Sequence, residues 1–89
     1  MIELVKVIET CMACPSQWDA WDAEGNYYYL RFRFGRGSVS RDHDDRKAII
    51  TFRHGDDLSG CLELGEFIEL ADGVELAENA IVVALTYDD

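Results

Sequence analysis

The 89-residue chain is long enough for one domain with one small binding site, which excludes a large cofactor-binding enzyme. Its composition, 48% hydrophobic with a single proline, is typical of a folded globular protein and excludes a disordered tail. The net charge of −10 is uneven: residues 31–53 hold seven basic and three acidic residues, whereas residues 54–89 hold ten acidic residues and no Lys or Arg. The acidic last third would repel nucleic acid, although the basic middle third could still bind it locally.

The first third of the chain predicts strands joined by turns. Residues 2–8 are rich in β-branched side chains and too few for a stable helix, so we expect a buried strand. Pro15 marks a connection after it. Gly25 and Asn26 tolerate the positive φ of a tight turn, so residues 17–34 predict a β-hairpin.

The second strand of this hairpin alternates strictly with a period of two. One face, which we assign to the core, carries Tyr28, Leu30, Phe32 and Phe34, and the other carries Tyr27, Tyr29, Arg31 and Arg33. Farther along, the sequence predicts a break or bulge at Gly35-Arg36-Gly37, a resumed strand at residues 38–40, a polar turn at residues 42–45 and a strand at residues 48–53.

Beyond residue 54 the periodicity becomes helical. Leu64, Phe67, Ile68 and Ala71 form one apolar stripe of a short helix near residues 63–72, and Gly73 ends it. The run Ala80–Tyr87 predicts a final buried strand. The expected fold class is α+β, in which an antiparallel sheet of about four to six strands packs against this helix in a single domain over residues 1–89.

Three segments of the chain resemble a family of small proteins. They are Cys14-Pro15-Ser16-Gln17-Trp18, the strand Tyr29–Gly35 and the stretch Gly60–Ala71. Together they resemble small uncharacterised proteins encoded by actinobacterial phages and actinobacterial genomes, in which a P-S-Q-W turn precedes an R-x-R-x-G strand. The resemblance covers roughly residues 14–72 and carries no activity. It implies a small phage-type accessory protein.

Location is predicted from three further features of the sequence. The longest apolar run, Ala80–Leu85, is far shorter than the about 20 residues of a membrane-spanning helix. Glu3 stands where a secretory signal would carry positive charge. Three cysteines are an odd number and too few for a disulfide scaffold, which is typical of a reducing compartment. We therefore expect a protein of the bacterial cytoplasm that makes no membrane contact.

The face of the hairpin that points away from the core is the candidate binding surface. Its residues are Trp18, Trp21, Tyr27, Tyr29, Arg31 and Arg33. Tyrosines and arginines on one strand face would form a stacking and phosphate-binding platform for single-stranded nucleic acid, to which either tryptophan could add a ring. The same residue types are frequent anchors of protein interfaces. Alternatively, Arg31 and Arg33 pair with Asp19 or Asp22 across the hairpin and have a structural role only.

The cysteines define a second, weaker candidate site. Cys11-x-x-Cys14 has the spacing of one half of a zinc knuckle, and Cys61 with His54 or His43 could complete a Cys₃His site. Alternatively, Cys14 and Cys61 are small buried side chains that pack as apolar groups. No cofactor other than zinc is expected.

The sequence predicts that the protein is not an enzyme. Both histidines, His43 and His54, lie in polar turns, and the sequence has neither a Ser-His-Asp order nor a phosphate-binding glycine loop. The leading hypothesis is an accessory protein that modulates a host or phage protein by binding it, through the hairpin surface or the acidic helix. The alternatives are a single-stranded nucleic-acid-binding module and a small zinc-stapled domain. Edge strands could also pair two copies into a homodimer.

Overall fold

The computed structural model of the chain describes residues 1–11, 16–56 and 60–84. This part of the chain forms a mixed six-stranded β-sheet and one short α-helix, which confirms the α+β class. The elements are β1 (Ile2–Cys11), β2 (Ser16–Asp22), β3 (Tyr27–Arg33), β4 (Arg36–Ser40), a 3₁₀ turn (Asp45–Lys47), β5 (Ile50–Arg53), α1 (Leu64–Leu70) and β6 (Val74–Val83). No helix among these residues is long and apolar enough to cross a membrane.

The predicted hairpin is confirmed as β2 and β3, and its turn is held by Asp22. One carboxylate oxygen of Asp22 accepts hydrogen bonds from the backbone N–H groups of Glu24 and Asn26, at 3.0 and 2.9 Å. The other accepts one from the Asn26 side chain at 3.0 Å, and Gly25 supplies a φ of +85°. The Asn26 side-chain bond is the main reason that the pKa of Asp22 lies below its ordinary value. Local turn chemistry therefore sets the register of this hairpin.

A two-residue turn joins β3 to β4. Phe34 and Gly35 both have positive φ, +54° and +72°, as a type I′ turn requires, and Arg33 and Arg36 form the flanking pair. The alternation along β3 predicts Phe34 in the core, but Phe34 is 55% exposed, because the strand ends one residue earlier and the chain turns there. A break or bulge is expected at Gly35-Arg36-Gly37; the structure has the break at Phe34-Gly35, and the strand resumes as β4 at Arg36.

The sheet is mixed, so the expected antiparallel sheet is matched only in part. The strand order is β5-β4-β3-β2-β1-β6, and β6 runs parallel to β1 while the other neighbours are antiparallel. β5 and β6 lie at opposite edges, so the chain crosses the sheet between them through α1. A crossover of this kind returns the chain to the end at which the previous strand began, and β6 therefore runs in the direction of β5 and β1.

The last strand also differs from the prediction. A buried strand is expected at Ala80–Tyr87, whereas β6 is Val74–Val83 and its final residues are exposed, Ile81 by 61% and Val82 by 50%. Among the described residues, β6 has a neighbouring strand on one side only, and an apolar run alone does not distinguish an edge strand from a central one. Residues 85–87 of the expected strand lie outside the described residues. An apolar edge is where two copies could pair, so the homodimer stays a prediction.

One face of the sheet holds the core. Phe67 of α1 is fully buried there, with its ring 5.3 Å from that of Trp18 and 5.0 Å from that of Phe52. The predicted helical stripe is therefore confirmed as the packing side of α1, and Gly73, with φ +104°, follows the helix as expected. The buried cluster comprises Leu4, Val7, Trp18, Ala20, Tyr28, Leu30, Phe32, Val39, Phe67, Ala71 and Val74. In the described part of the chain, no α-helix covers the other face of the sheet, which we call the open face.

Candidate functional site

Cross-strand register determines which side chains share the open face. Tyr27, Tyr29, Arg31 and Arg33 follow one another along β3 on this face, as the alternation predicts. The rows that cross the sheet are Trp21–Tyr27, Asp19–Tyr29–Ser40, Gln17–Arg31–Ser38–Thr51 and Arg33–Arg36–Arg53. Aromatic rows therefore lie toward one end of the face and arginine rows toward the other.

The aromatic end is organised by hydrogen bonds around Tyr27. Its hydroxyl donates to Oδ1 of Asp19 at 2.5 Å and lies 2.6 Å from Nε2 of His43. Because the hydroxyl has one proton and gives it to Asp19, Nε2 of His43 must carry a proton and donate to the tyrosine oxygen. Nε2 also lies 3.8 Å from Oδ1 of Asp19. The three side chains therefore form one compact network.

Burial and the hydrogen bond to Asp19 raise the pKa of Tyr27 well above its ordinary value. The hydroxyl therefore stays protonated throughout the physiological range. In this environment Tyr27 is a hydrogen-bond donor that fixes Asp19, and a phenolate nucleophile is disfavoured.

The rings at this end are already stacked on one another. His43 lies parallel to Tyr29, with ring centroids 5.0 Å apart, and Tyr29 is only 7% exposed beneath it. Tyr27 lies between His43 and Trp21, at centroid distances of 5.5 and 5.7 Å. The ammonium group of Lys6 lies 5.6 Å from the Trp21 ring. The tyrosine faces that a nucleobase would need are therefore partly occupied by the protein itself.

His43 is the ring that this cluster presents to solvent, with a side chain that is 72% exposed. Sequence reasoning places it in a polar turn, which is correct, but the turn lies over the open face because the β4–β5 connection folds back across β3.

Trp18, by contrast, does not lie on the candidate surface. It is 2% exposed and packs on Phe67 in the core, since its parity in β2 is opposite to that of Trp21.

The arginine end forms a pocket of about 270 Å³, lined by Arg31, Arg33, Phe34, Arg36, Ser38 and Arg53. We call it the arginine pocket. Arg33 lies directly opposite Arg36, and Arg36 lies opposite Arg53. The guanidinium carbon of Arg33 is 4.4 Å from the centroid of the Phe34 ring. Like-charged residues therefore occupy directly opposed positions at this end of the face.

The register does not place the arginines opposite the acids that the structural alternative requires. Arg31 lies opposite Gln17 and Ser38, whereas Asp19 lies opposite Tyr29. Sequence reasoning missed Arg36 and Arg53 as site residues. Had Phe34-Gly35 been recognised as a two-residue turn, it would have put Arg36 beside Arg33, and alternation along the following strands would have added Arg53.

Two of the three cysteines lie within the described part of the chain. Cys11 and Cys61 line a cavity of about 330 Å³ that also contains Glu9, Glu63 and Glu66. Cys61 is exposed and disulfide-bonded, so the expectation that it packs as a small buried apolar group is wrong, and its sulfur is not available as a zinc-binding thiolate.

Of the remaining metal candidates that the structure describes, only Cys11 lines this cavity. Cys11 has a thiol, and Cys14 lies outside the described residues. His54 lies against the Phe32 ring, at a centroid distance of 6.4 Å. Within the described ranges, no group of three or more His, Cys, Asp or Glu side chains is arranged to hold a metal ion. A disulfide also removes part of the basis for a cytoplasmic location, because such bonds persist mainly in oxidising compartments.

Comparison of this chain with protein-family models, with curated proteins and with solved structures finds no match. The functional interpretation therefore depends on the chemistry of its own surfaces.

Proposed function

We propose that this protein is a non-enzymatic accessory protein that acts by binding a protein partner through the open face of its sheet. The observation that carries the proposal is the juxtaposition of the aromatic cluster and the arginine pocket on one face that α1 does not cover. Tyr, Trp and Arg are the residue types that most often anchor protein interfaces. The phage context comes from the sequence resemblance alone and belongs to the same proposal.

Charge favours an acidic segment as the part of the partner that meets this face. The chain carries −10 overall, yet four of its eight basic residues line the arginine pocket. The outer side of α1 carries exposed Glu66 and Glu69 and would repel the same segment. An acidic partner is therefore directed to the open face and away from the helix.

Single-stranded nucleic acid is the second candidate, because the arginine pocket would also attract phosphates. The aromatic end favours a protein instead. Binding a base on Tyr29 requires displacement of His43, which stacks on that ring and shares a hydrogen bond with Tyr27. A protein partner can pack on His43 and Trp21 where they stand.

A pull-down from a lysate of the source cells, with and without nuclease, tests the proposal. Wild-type protein is compared with Trp21→Ala and with the control Glu69→Ala, which removes an exposed side chain of α1. We expect a stoichiometric protein that survives nuclease, is lost with Trp21→Ala and is kept with Glu69→Ala. Loss of all binding with nuclease would favour the nucleic-acid candidate, and dependence on Glu69 alone would move the interface to the helix.

A further inference from the structure

We infer that the arginine pocket binds a phosphomonoester dianion carried by the protein partner. The inference rests on the proposed function and names the group that the open face takes from its partner. It begins from the rows Arg31–Ser38 and Arg33–Arg36–Arg53, which bring four arginines to the lining of one pocket of about 270 Å³.

The pocket concentrates positive charge in directly opposed positions. Arg33–Arg36 and Arg36–Arg53 are directly opposed pairs of like charge on neighbouring strands. An anion seated among these side chains would be attracted by all four arginines, and its binding would stabilise the folded protein.

The chemistry of the lining matches a phosphoryl group. All four cations are arginines, whose planar forks donate paired hydrogen bonds to oxyanions, whereas a lysine would provide a point charge. A carboxylate has one charge and two oxygens, so it accepts paired hydrogen bonds from one guanidinium group. A phosphomonoester has two charges and three terminal oxygens and can accept from several forks at once. Ser38, only 1% exposed at the lining, adds a neutral hydroxyl.

The side chains around the pocket are held in position by the protein. Phe34 lies at the left-handed φ of +54°, where Asn or Gly is preferred, and its ring is 55% exposed beneath the guanidinium group of Arg33. Arg31, Arg36 and Arg53 each have a further interaction within the protein. The exposed Phe34 ring supports Arg33 through this contact.

Inorganic phosphate is the probe for the test. We would titrate it into ¹⁵N-labelled full-length protein at constant ionic strength and follow the backbone amides of Arg36 and Ser38, with acetate as the carboxylate comparison. The variant is Arg33→Gln with Arg53→Gln, both at exposed positions. The matched control is Arg46→Gln with Lys47→Gln, which removes the same charge from exposed residues outside the pocket.

We expect saturable shifts with phosphate and binding of acetate that is at least about tenfold weaker. The pocket variant should weaken phosphate binding by at least about tenfold, and the control by less than about twofold. Equal shifts with acetate, or equal losses in both variants, would show general charge screening and overturn the inference. The amide spectrum of each variant also reports whether it is folded.

A second titration identifies what carries the phosphate. A phosphoserine peptide that binds more tightly than its unphosphorylated form and than an oligonucleotide of equal charge supports a protein source. Tighter binding of the oligonucleotide overturns it. If inorganic phosphate does not bind but a protein is still captured through Trp21, the proposed function stands, and only binding of a phosphomonoester in the arginine pocket is excluded. If phosphate binds but no protein is captured, the pocket stands and the proposed function fails.

Discussion

His43 lies parallel to Tyr29, with ring centroids 5.0 Å apart and an interplanar angle of 17°. This contact joins the β4–β5 connection to the middle of the open face and leaves Tyr29 only 7% exposed. The aromatic cluster is therefore a packed unit of rings, and His43 is its most exposed ring.

Replacement of His43 should expose the rings of Tyr27 and Tyr29, which stack with it. We expect His43→Ala to lower the free energy of unfolding by about 1 kcal/mol, because a stacked aromatic pair contributes roughly 0.5–1.5 kcal/mol. His43→Phe keeps the stacking surface and removes the hydrogen bond to Tyr27, so it should recover part of the loss. Urea unfolding of the three proteins measures this. An unchanged midpoint in His43→Ala would show that the stack contributes nothing to stability.

The raised pKa of Tyr27 predicts a loss of stability in alkali. Tyr27 loses its proton less readily in the folded state than in the unfolded state, so its contribution is complete below about pH 10 and is lost as pH rises above that value. The free energy of unfolding should therefore fall more steeply above pH 10 in the wild-type protein than in Tyr27→Phe. Urea unfolding at several pH values between 8 and about 12 measures both slopes.

Tyr28 provides the internal comparison for that experiment. Burial and its hydrogen bond to Asp22 also raise its pKa, and it remains in both proteins. Some alkaline loss should therefore persist in Tyr27→Phe. Identical slopes in the two proteins would contradict the assignment to Tyr27.

Substitution by alanine should change the free energy of unfolding in opposite directions at two glycines. A Cβ at Gly37 would overlap the ring of Phe52, which packs over it from β5, so Gly37→Ala should cost about 1–3 kcal/mol. A Cβ at Gly65 in α1 meets open space, so Gly65→Ala should stabilise by up to about 1 kcal/mol. Thermal unfolding of both variants tests the pair. A stabilised Gly37→Ala would mean that the Phe52 ring does not cover β4.

Phe34 should show a trade-off between stability and binding. Phe34→Asn relieves the strain at φ +54° and should raise the free energy of unfolding by roughly 1 kcal/mol, less what is lost with the Arg33 contact. The same change removes the support of Arg33, so phosphate should bind less tightly. Urea unfolding and phosphate titration of Phe34→Asn and of the wild-type protein measure the two effects. Unchanged phosphate binding would show that the ring does not organise the pocket.

Local patterns predict most of the fold. The period of two along Tyr27–Arg33, the turn residues before it and the stripe of Phe67 and Ala71 each result from interactions within a short segment. The direction and exposure of β6 are not local properties. They depend on which edge of the sheet remains open after β1 to β5 have paired. The apolar residues of β6 do not by themselves determine which edge this is.

The candidate site is predicted in part for the same reason. Alternation places Tyr29 and Arg31 on one face, but the sequence does not show that His43 covers that face from a loop. It also does not show that Arg53 reaches the same pocket from a strand two positions away, because that requires the complete pairing order. As an aromatic residue of the paired strand, Trp18 is a candidate for this surface from the sequence, but its parity in β2 places it in the core.

The most direct test of the central claim is site-specific photo-cross-linking from the two sides of the molecule. A photoreactive amino acid is placed at Thr51, exposed on the open face, or at Glu69, exposed on α1, and the protein is irradiated in lysate treated with nuclease. The account predicts a discrete protein adduct from Thr51, abolished by Trp21→Ala, and none from Glu69. An adduct from Glu69 alone would contradict it and place the interface on the helix.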